Sequence, residues 1–153
     1  MTEGERPRFV ADSMLGSLAR WLRMLGYDTA YEKDMDDGAL IRLASEENRR
    51  ILTRDKGLAK ESNAIYIEPD DLEAQLKLVG EVGELSFSEE FIRCSTCNGE
   101  LKSVPKDEIG DRIPEGALAN NDRFWICSAC GKIYWQGSHW LGIRERFRKL
   151  NLA

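Results

Sequence analysis

Four cysteines and a few aspartates are the residues of this chain whose type and spacing point to chemistry. The cysteines form two pairs, Cys94-x-x-Cys97 and Cys127-x-x-Cys130. Two intervening residues let both sulfurs of one turn face the same ion, so each pair offers half of a tetrahedral four-cysteine site, with zinc as the expected ion and one ion per chain. Asn98-Gly99 and Gly131 follow the pairs directly, and small or φ-positive residues there let backbone N–H groups turn back toward sulfur. Two disulfides, a redox CxxC and an iron site of the rubredoxin kind are the competing readings. Disulfides need an oxidising compartment, and a redox CxxC normally stands singly beside a βαβ unit. A closed site of four thiolates has no open position for substrate, so the expected zinc is structural.

The aspartates suggest a different metal chemistry. Asp12 directly follows Phe9-Val10-Ala11, Asp55 follows Ile51-Leu52-Thr53-Arg54, and Asp36-Asp37 precede Leu40-Ile41. In an open parallel sheet ligands bind at the carboxyl ends of the strands, where Asp12 and Asp55 are expected to meet and Asp37 to approach from a helix start. Gathered carboxylates repel unless a cation neutralises them, and hard oxygen ligands select Mg2+ or Mn2+. Taken singly, each of these aspartates is an ordinary turn or cap residue; their joint placement makes the case. Arg54 adds a cation beside Asp55, and Arg20 and Arg23 lie off a leucine stripe, a ready place for phosphate.

These residues need elements to position them. Phe9 to Ala11 reads as a buried strand, and Leu15, Leu18, Leu22 and Leu25 have helical spacing before Gly26. Tyr27 to Tyr31, Ile51 to Thr53 and Ala64 to Ile67 predict further strands. Asp36-Asp37 cap a predicted helix through Leu40, Leu43 and Ala44, and another runs from Asp70 to Val82, with Asp70 and Glu73 spaced as a capping box. Alternating strands and helices imply an α/β domain with a mostly parallel sheet flanked by helices. Periodicity fades between Gly80 and Glu90, placing the expected boundary between residues 1–85 and 86–153. Beyond it, Phe124-Trp125-Ile126 and Ile133-Tyr134-Trp135 read as short strands of a cysteine-stapled ribbon.

The charge is uneven. The chain has 153 residues, 42% hydrophobic, and a formal net charge of −5, which excludes binding nucleic acid simply by being basic. Residues 1–88 hold 12 Lys and Arg against 18 Asp and Glu, whereas residues 89–153 hold 10 against 9. Lys132, Arg144, Arg146, Arg148 and Lys149 stand against Glu145 alone over the stretch 132–149, read as a basic tail that holds a phosphate backbone. His139 is a surface histidine or a phosphate contact, and Trp135 and Trp140 are ribbon core or stacking surfaces. There is no long apolar run and no basic-apolar leader at the N-terminus, so a soluble, cytoplasmic protein is expected.

The motifs in combination resemble a known family. Phe9-Val10-Ala11-Asp12-Ser13-Met14-Leu15-Gly16, the Leu18 to Arg23 helix ending in Gly26-Tyr27-Asp28, Asp36-Asp37, and Leu52-Thr53-Arg54-Asp55 resemble the Mut-seven C-terminal RNase family. So do Arg93-Cys94-x-x-Cys97-Asn98, Cys127-x-x-Cys130-Gly131-Lys132 and Tyr134-Trp135-Gln136-Gly137-Ser138-His139. The resemblance implies a PIN-like nuclease domain followed by a zinc ribbon, with Asp12, Asp37 and Asp55 in the places of the PIN-like acids and Asp36 as the adjacent alternative. A fourth acid has no unambiguous match; Glu68, Asp70 and Asp71 are candidates. The implied activity is hydrolysis of RNA, expected to be single-stranded, with Mg2+ or Mn2+, and Arg20, Arg23, Arg54, His139, Arg144, Arg146 and Arg148 are the expected RNA contacts. The alternative is a non-catalytic module whose ribbon docks RNA or a protein partner.

Overall fold

The computed structural model describes residues 6–61, 63–87 and 91–150. A four-stranded parallel sheet is built from β1 (Phe9–Ala11), β2 (Thr29–Ala30), β3 (Arg50–Thr53) and β4 (Ile65–Tyr66), in the order β2-β1-β3-β4. The chain leaves β1 for β2 on one side and returns for β3 on the other, so a topological switch point lies between β1 and β3. Helices α1 (Gly16–Met24), α2 (Asp37–Glu46) and α3 (Lys56–Glu61) connect successive strands, and α4 (Leu72–Gly83) follows β4. Strand alternation divides the core between two faces. Phe9, Ala11 and Leu52 point to the larger core, with Leu18 and Leu22 of α1 and Leu76 and Val79 of α4, whereas Val10 and Ile51 point to a smaller one with Leu40 of α2 and Leu58 of α3.

The expected elements are present, most of them shorter. The strand expected over Tyr27 to Tyr31 is only Thr29–Ala30, and Gly26, at φ 99°, turns the chain out of α1. Asp36 caps α2 by accepting the Ala39 N–H at 2.8 Å. The capping box expected at Asp70 is corrected: Asp71 caps α4 by accepting from Ala74 N–H (3.0 Å), while Asp70 pairs with Arg54 at 2.6 Å. Helix α3 was not legible, because six residues are too few to establish a helical period.

After the sheet come three antiparallel strands, β5 (Leu101–Val104), β6 (Phe124–Cys127) and β7 (Ile133–Trp135), in the order β5-β6-β7. A short helix, α5 (Glu115–Asn120), sits in the β5–β6 connection. The expected basic tail is a helix, α6 (Ser138–Lys149), that returns to the first sheet. Phe147 is fully buried in the larger core, edge-on to Trp21 of α1 at 5.5 Å. Phe87 packs on both Phe147 (5.2 Å) and Trp140 (5.9 Å), and Phe91 joins Trp140 to Trp125 and Tyr134 of the ribbon. A seam of aromatic rings thus joins the ribbon to the sheet. Among the described residues no helix is long and apolar enough to cross a membrane.

The first cysteine turn covers an exposed strand edge. β2 is an outer strand, and its Thr29 N–H donates to Asn98 Oδ1 at 3.0 Å. Asn98 Nδ2 donates to Asp28 at 2.6 Å, and Asp28 is also paired with Arg49 (2.7 Å), Arg8 (3.2 Å) and Arg93 (3.6 Å).

Phe147 provides a direct test of how α6 is held. Phe147→Ala is expected to lower unfolding stability by about 3–5 kcal/mol, the usual cost of emptying a phenylalanine site. Urea unfolding followed by helical circular dichroism measures it. An unchanged midpoint would mean that α6 is not part of the core.

Candidate functional site

Two constellations lie in different parts of the fold. The first is the cysteine cluster. Among the described residues, Cys94, Cys97, Cys127 and Cys130 are the only group of three or more potential ligands whose donor atoms all lie within 4.8 Å of one another. The Cys94–Cys130 and Cys97–Cys127 sulfur separations are 3.7 and 3.4 Å, and all four thiols are free. Tetrahedral zinc with bonds of about 2.3 Å places its sulfurs about 3.8 Å apart, so the set is positioned to bind a metal ion and is consistent with zinc.

The surroundings favour a thiolate at Cys94. Burial pushes the Cys94 thiol up, but the Tyr134 hydroxyl at 3.1 Å and the N–H groups of Cys97 and Thr96 outweigh it and bring Cys94 down to about 6. Cys97 moves the other way, to about 12, through desolvation and the neighbouring sulfurs. A second negative charge is therefore disfavoured here unless a cation offsets it. Gly99 is needed for space: a Cβ there would lie 2.8 Å from Cys127 Sγ and 3.0 Å from Ala129 Cβ. Asn98 and Gly131 have φ of 69° and 81°, the positive values expected beside the pairs.

The second constellation is at the switch point. Asp12, only 8% exposed, follows β1. Its Oδ1 accepts from Met14 N–H (2.9 Å), and its Oδ2 accepts from Thr53 Oγ1 (2.8 Å) and Arg54 N–H (2.9 Å). The same Thr53 hydroxyl accepts from Asp55 N–H at 3.0 Å, so one side chain links the two acids that end β1 and β3. Asp55 is exposed and caps α3, its Oδ1 accepting from Gly57 and Leu58 N–H groups at 2.8 and 3.2 Å. Among the described residues, Asp55 Oδ2 has no hydrogen-bond donor. Asp37 opens α2 with an exposed carboxylate, and Asp36 is engaged as the cap. The carboxylates do not close into a cage: among the described residues only the cysteines form a set within 4.8 Å.

The expected RNA contacts are scattered. Arg23 is a correction. It is buried, with Nε donating to Thr29 O (2.9 Å) and Nη1 to Ser95 O and Thr96 O (both 3.2 Å), so it clasps the cysteine turn to the sheet and has no surface for phosphate. The physical reason is that the leucine stripe of α1 faces one core only, whereas the ribbon covers a second side of the helix. Arg54 donates to Glu68 O as well as to Asp70, while Asp71 is engaged at a helix start, so two of the fourth-acid candidates have their carboxylates occupied. Arg146 pairs with Glu73 (3.2 Å) over the Trp21 ring, Arg148 pairs with Glu145 (3.1 Å), and Arg144 lies over Trp140. Arg20 and His139 are exposed and line a common cavity. Sequence reasoning missed the Asp28–Asn98–Arg93 cluster, although all three stand in the motifs that carried the resemblance.

The family model described as Mut7-C RNAse domain matches residues 7–147. No curated protein and no solved structure is significantly similar to the chain.

The close approach at Gly99 generates a paired test. Elemental analysis of the purified chain is expected to find one zinc. Gly99→Ala is expected to release its metal to a competing chelator far faster than wild type. Gly116→Ala, where an added Cβ meets nothing within 4 Å, is expected to keep it. Equal metal retention by both variants would mean that the turn is not packed against the sulfurs as described.

Proposed function

The chain belongs to the Mut7-C RNAse domain family, and from that premise we propose that it hydrolyses RNA phosphodiester bonds at the β1/β3 switch point with Mg2+ or Mn2+. The observation that carries the reading is the Thr53 hydroxyl that joins Asp12 to Asp55 at the carboxyl ends of adjacent strands. Family membership supports a nuclease-type function, and the switch point is where an open parallel sheet receives its ligand.

Each residue has a role in this reading. Asp12, fixed by three donors, and the exposed carboxylates of Asp37 and Asp55 would hold the cation. Their hard oxygen donors suit Mg2+ or Mn2+, and Mg2+ commonly uses only one or two protein carboxylates, with water and substrate phosphate completing its shell, so an open arrangement fits. When bound, the cation lowers the pKa of water and neutralises phosphate charge. Thr53 orients Asp12, and Oδ1 of Asp55 stays on the α3 N-terminus, which fixes where Oδ2 points. Arg54 is held beside Asp55 by Asp70, ready to offset charge on the phosphate. The ribbon, with its cysteine-bound zinc, supports RNA binding from α1's side. The caps made by Asp36 and Asp55 are what a non-catalytic module would also use, so the acids need a test that separates the two roles.

Asp55→Asn separates them. Asparagine keeps the Oδ1 acceptor and caps helices about as well as aspartate, so stability without Mg2+ or Mn2+ is expected to stay level or rise as a negative charge is removed. Cleavage of end-labelled single-stranded RNA with Mn2+ is expected to fall by at least ~10²-fold, and the thermal stabilisation by Mn2+ to shrink. Normal cleavage by Asp55→Asn would make Asp55 a cap and nothing more.

A further inference from the structure

We propose that the cavity between α1, the cysteine ribbon and the start of α6 is a subsite for one nucleotide of single-stranded RNA, next to the acidic site. The proposal deepens the ribonuclease reading and rests on it. The cavity has a volume of about 600 Å³, within the range of small-ligand sites. None of its lining residues is acidic, although the chain carries 27 Asp and Glu against 22 Lys and Arg. None of the aspartates of the switch point lines it either, so it would hold a flanking nucleotide and not the scissile phosphate. Arg20 stands four residues along α1 from Gly16, roughly 6 Å of helix, which keeps the two sites within reach of one strand.

Its walls supply both halves of nucleotide recognition. Arg20 is exposed and, among the described residues, has no carboxylate partner. Lys132 donates to Thr96 Oγ1 at 3.3 Å and lies 5.1 Å from the centre of the Tyr134 ring, both neutral partners, and among the described residues no carboxylate pairs with it. Gly137, the N-cap of α6, offers no side-chain cap, and Gly137, Ser138 and His139 all line the cavity, so the positive end of the helix dipole borders it. These groups suit a phosphate. For the base, the Trp135 indole lies against Gly137, where a Cβ would be 3.0 Å from Nε1, so glycine lets the ring sit at the helix start. Stacking on such a ring with cations beside it holds any base, which fits single-stranded RNA read without sequence preference.

The test uses the full zinc-loaded chain and fluorescein-labelled decauridylate in buffer without Mg2+ or Mn2+, where the acidic site holds no cation and cannot contribute catalysis. Wild type is expected to bind, with quenching of tryptophan fluorescence. The Arg20→Ala/Lys132→Ala double variant is expected to bind at least ~10-fold more weakly and with a shallower salt dependence. Both side chains are exposed, and unchanged zinc content and melting temperature verify the fold. Equal binding by the double variant overturns the subsite, as does equally tight binding of a labelled decaglutamate peptide, which would mark a protein-docking surface. If RNA binds without added Mg2+ or Mn2+ and is lost in the double variant but is never cut with Mn2+, the ribonuclease reading fails and the subsite stands. If RNA is cut and the double variant binds and cuts as wild type does, only the subsite fails.

Discussion

The charge cluster around Asp28 is the interaction on which the joining of the two halves depends. Burial alone would push its carboxyl up, but bonds from Arg49 and Asn98 and the charges of Arg49 and Arg93 hold it below the usual aspartate value. The carboxylate thus stays charged and gathers groups from both halves of the chain. Arg49 comes from the turn before β3, while Arg93 and Asn98 flank the first cysteine pair. Such a cluster tolerates poorly the loss of a single member, because the remaining charges stay desolvated. It also solves the edge problem of a short parallel sheet, since the N–H of β2 that would otherwise be open to pairing with another chain is satisfied by Asn98.

A second link acts on the other side of the same turn. Arg23 reaches from α1 to Ser95 O and Thr96 O, within the loop that carries Cys94 and Cys97. The loop's shape is thereby constrained by α1 and β2 from outside and by the sulfur cluster from inside. Metal binding and docking of the ribbon therefore share structure, because an ion that fixes the turn also fixes the carbonyls that Arg23 and the amide that Asp28 require. Most folding energy here is apolar and lies in the sheet core, in which α6 takes part through Phe147. The polar contacts choose where the ribbon sits upon it.

This arrangement bears on function through α1. One end of the helix follows Asp12 and the acidic switch point; its side carries Arg20 toward the ribbon cavity, and its C-terminal half holds Arg23 in the docking cluster. A rigid helix that touches all three fixes their spacing. Carboxylates stand at the strand ends, whereas no acidic residue lines the ribbon cavity that holds Arg20 and Lys132; in the proposed reading an anionic strand approaches from that side and not across the negative face.

What the sequence determined by itself was local. The α/β order, the parallel sheet, the two cysteine pairs with their φ-positive followers, the cap at Asp36 and the aspartates at the ends of β1 and β3 are all written in residues a few positions apart, where backbone sterics and strand or helix period act directly. Tertiary structure decided the rest. It turned the basic tail into a helix with a buried face, took Arg23 out of solvent, gave Asp71 the cap expected of Asp70, and brought Asp28 to Arg93 and Asn98. The signals for these were faint because each joins segments far apart in sequence, and no periodicity records which face of a helix a distant element will cover. Burial is a property of the assembled chain, so a charged residue on an apparently free helix face acquires its role only when the ribbon packs against it.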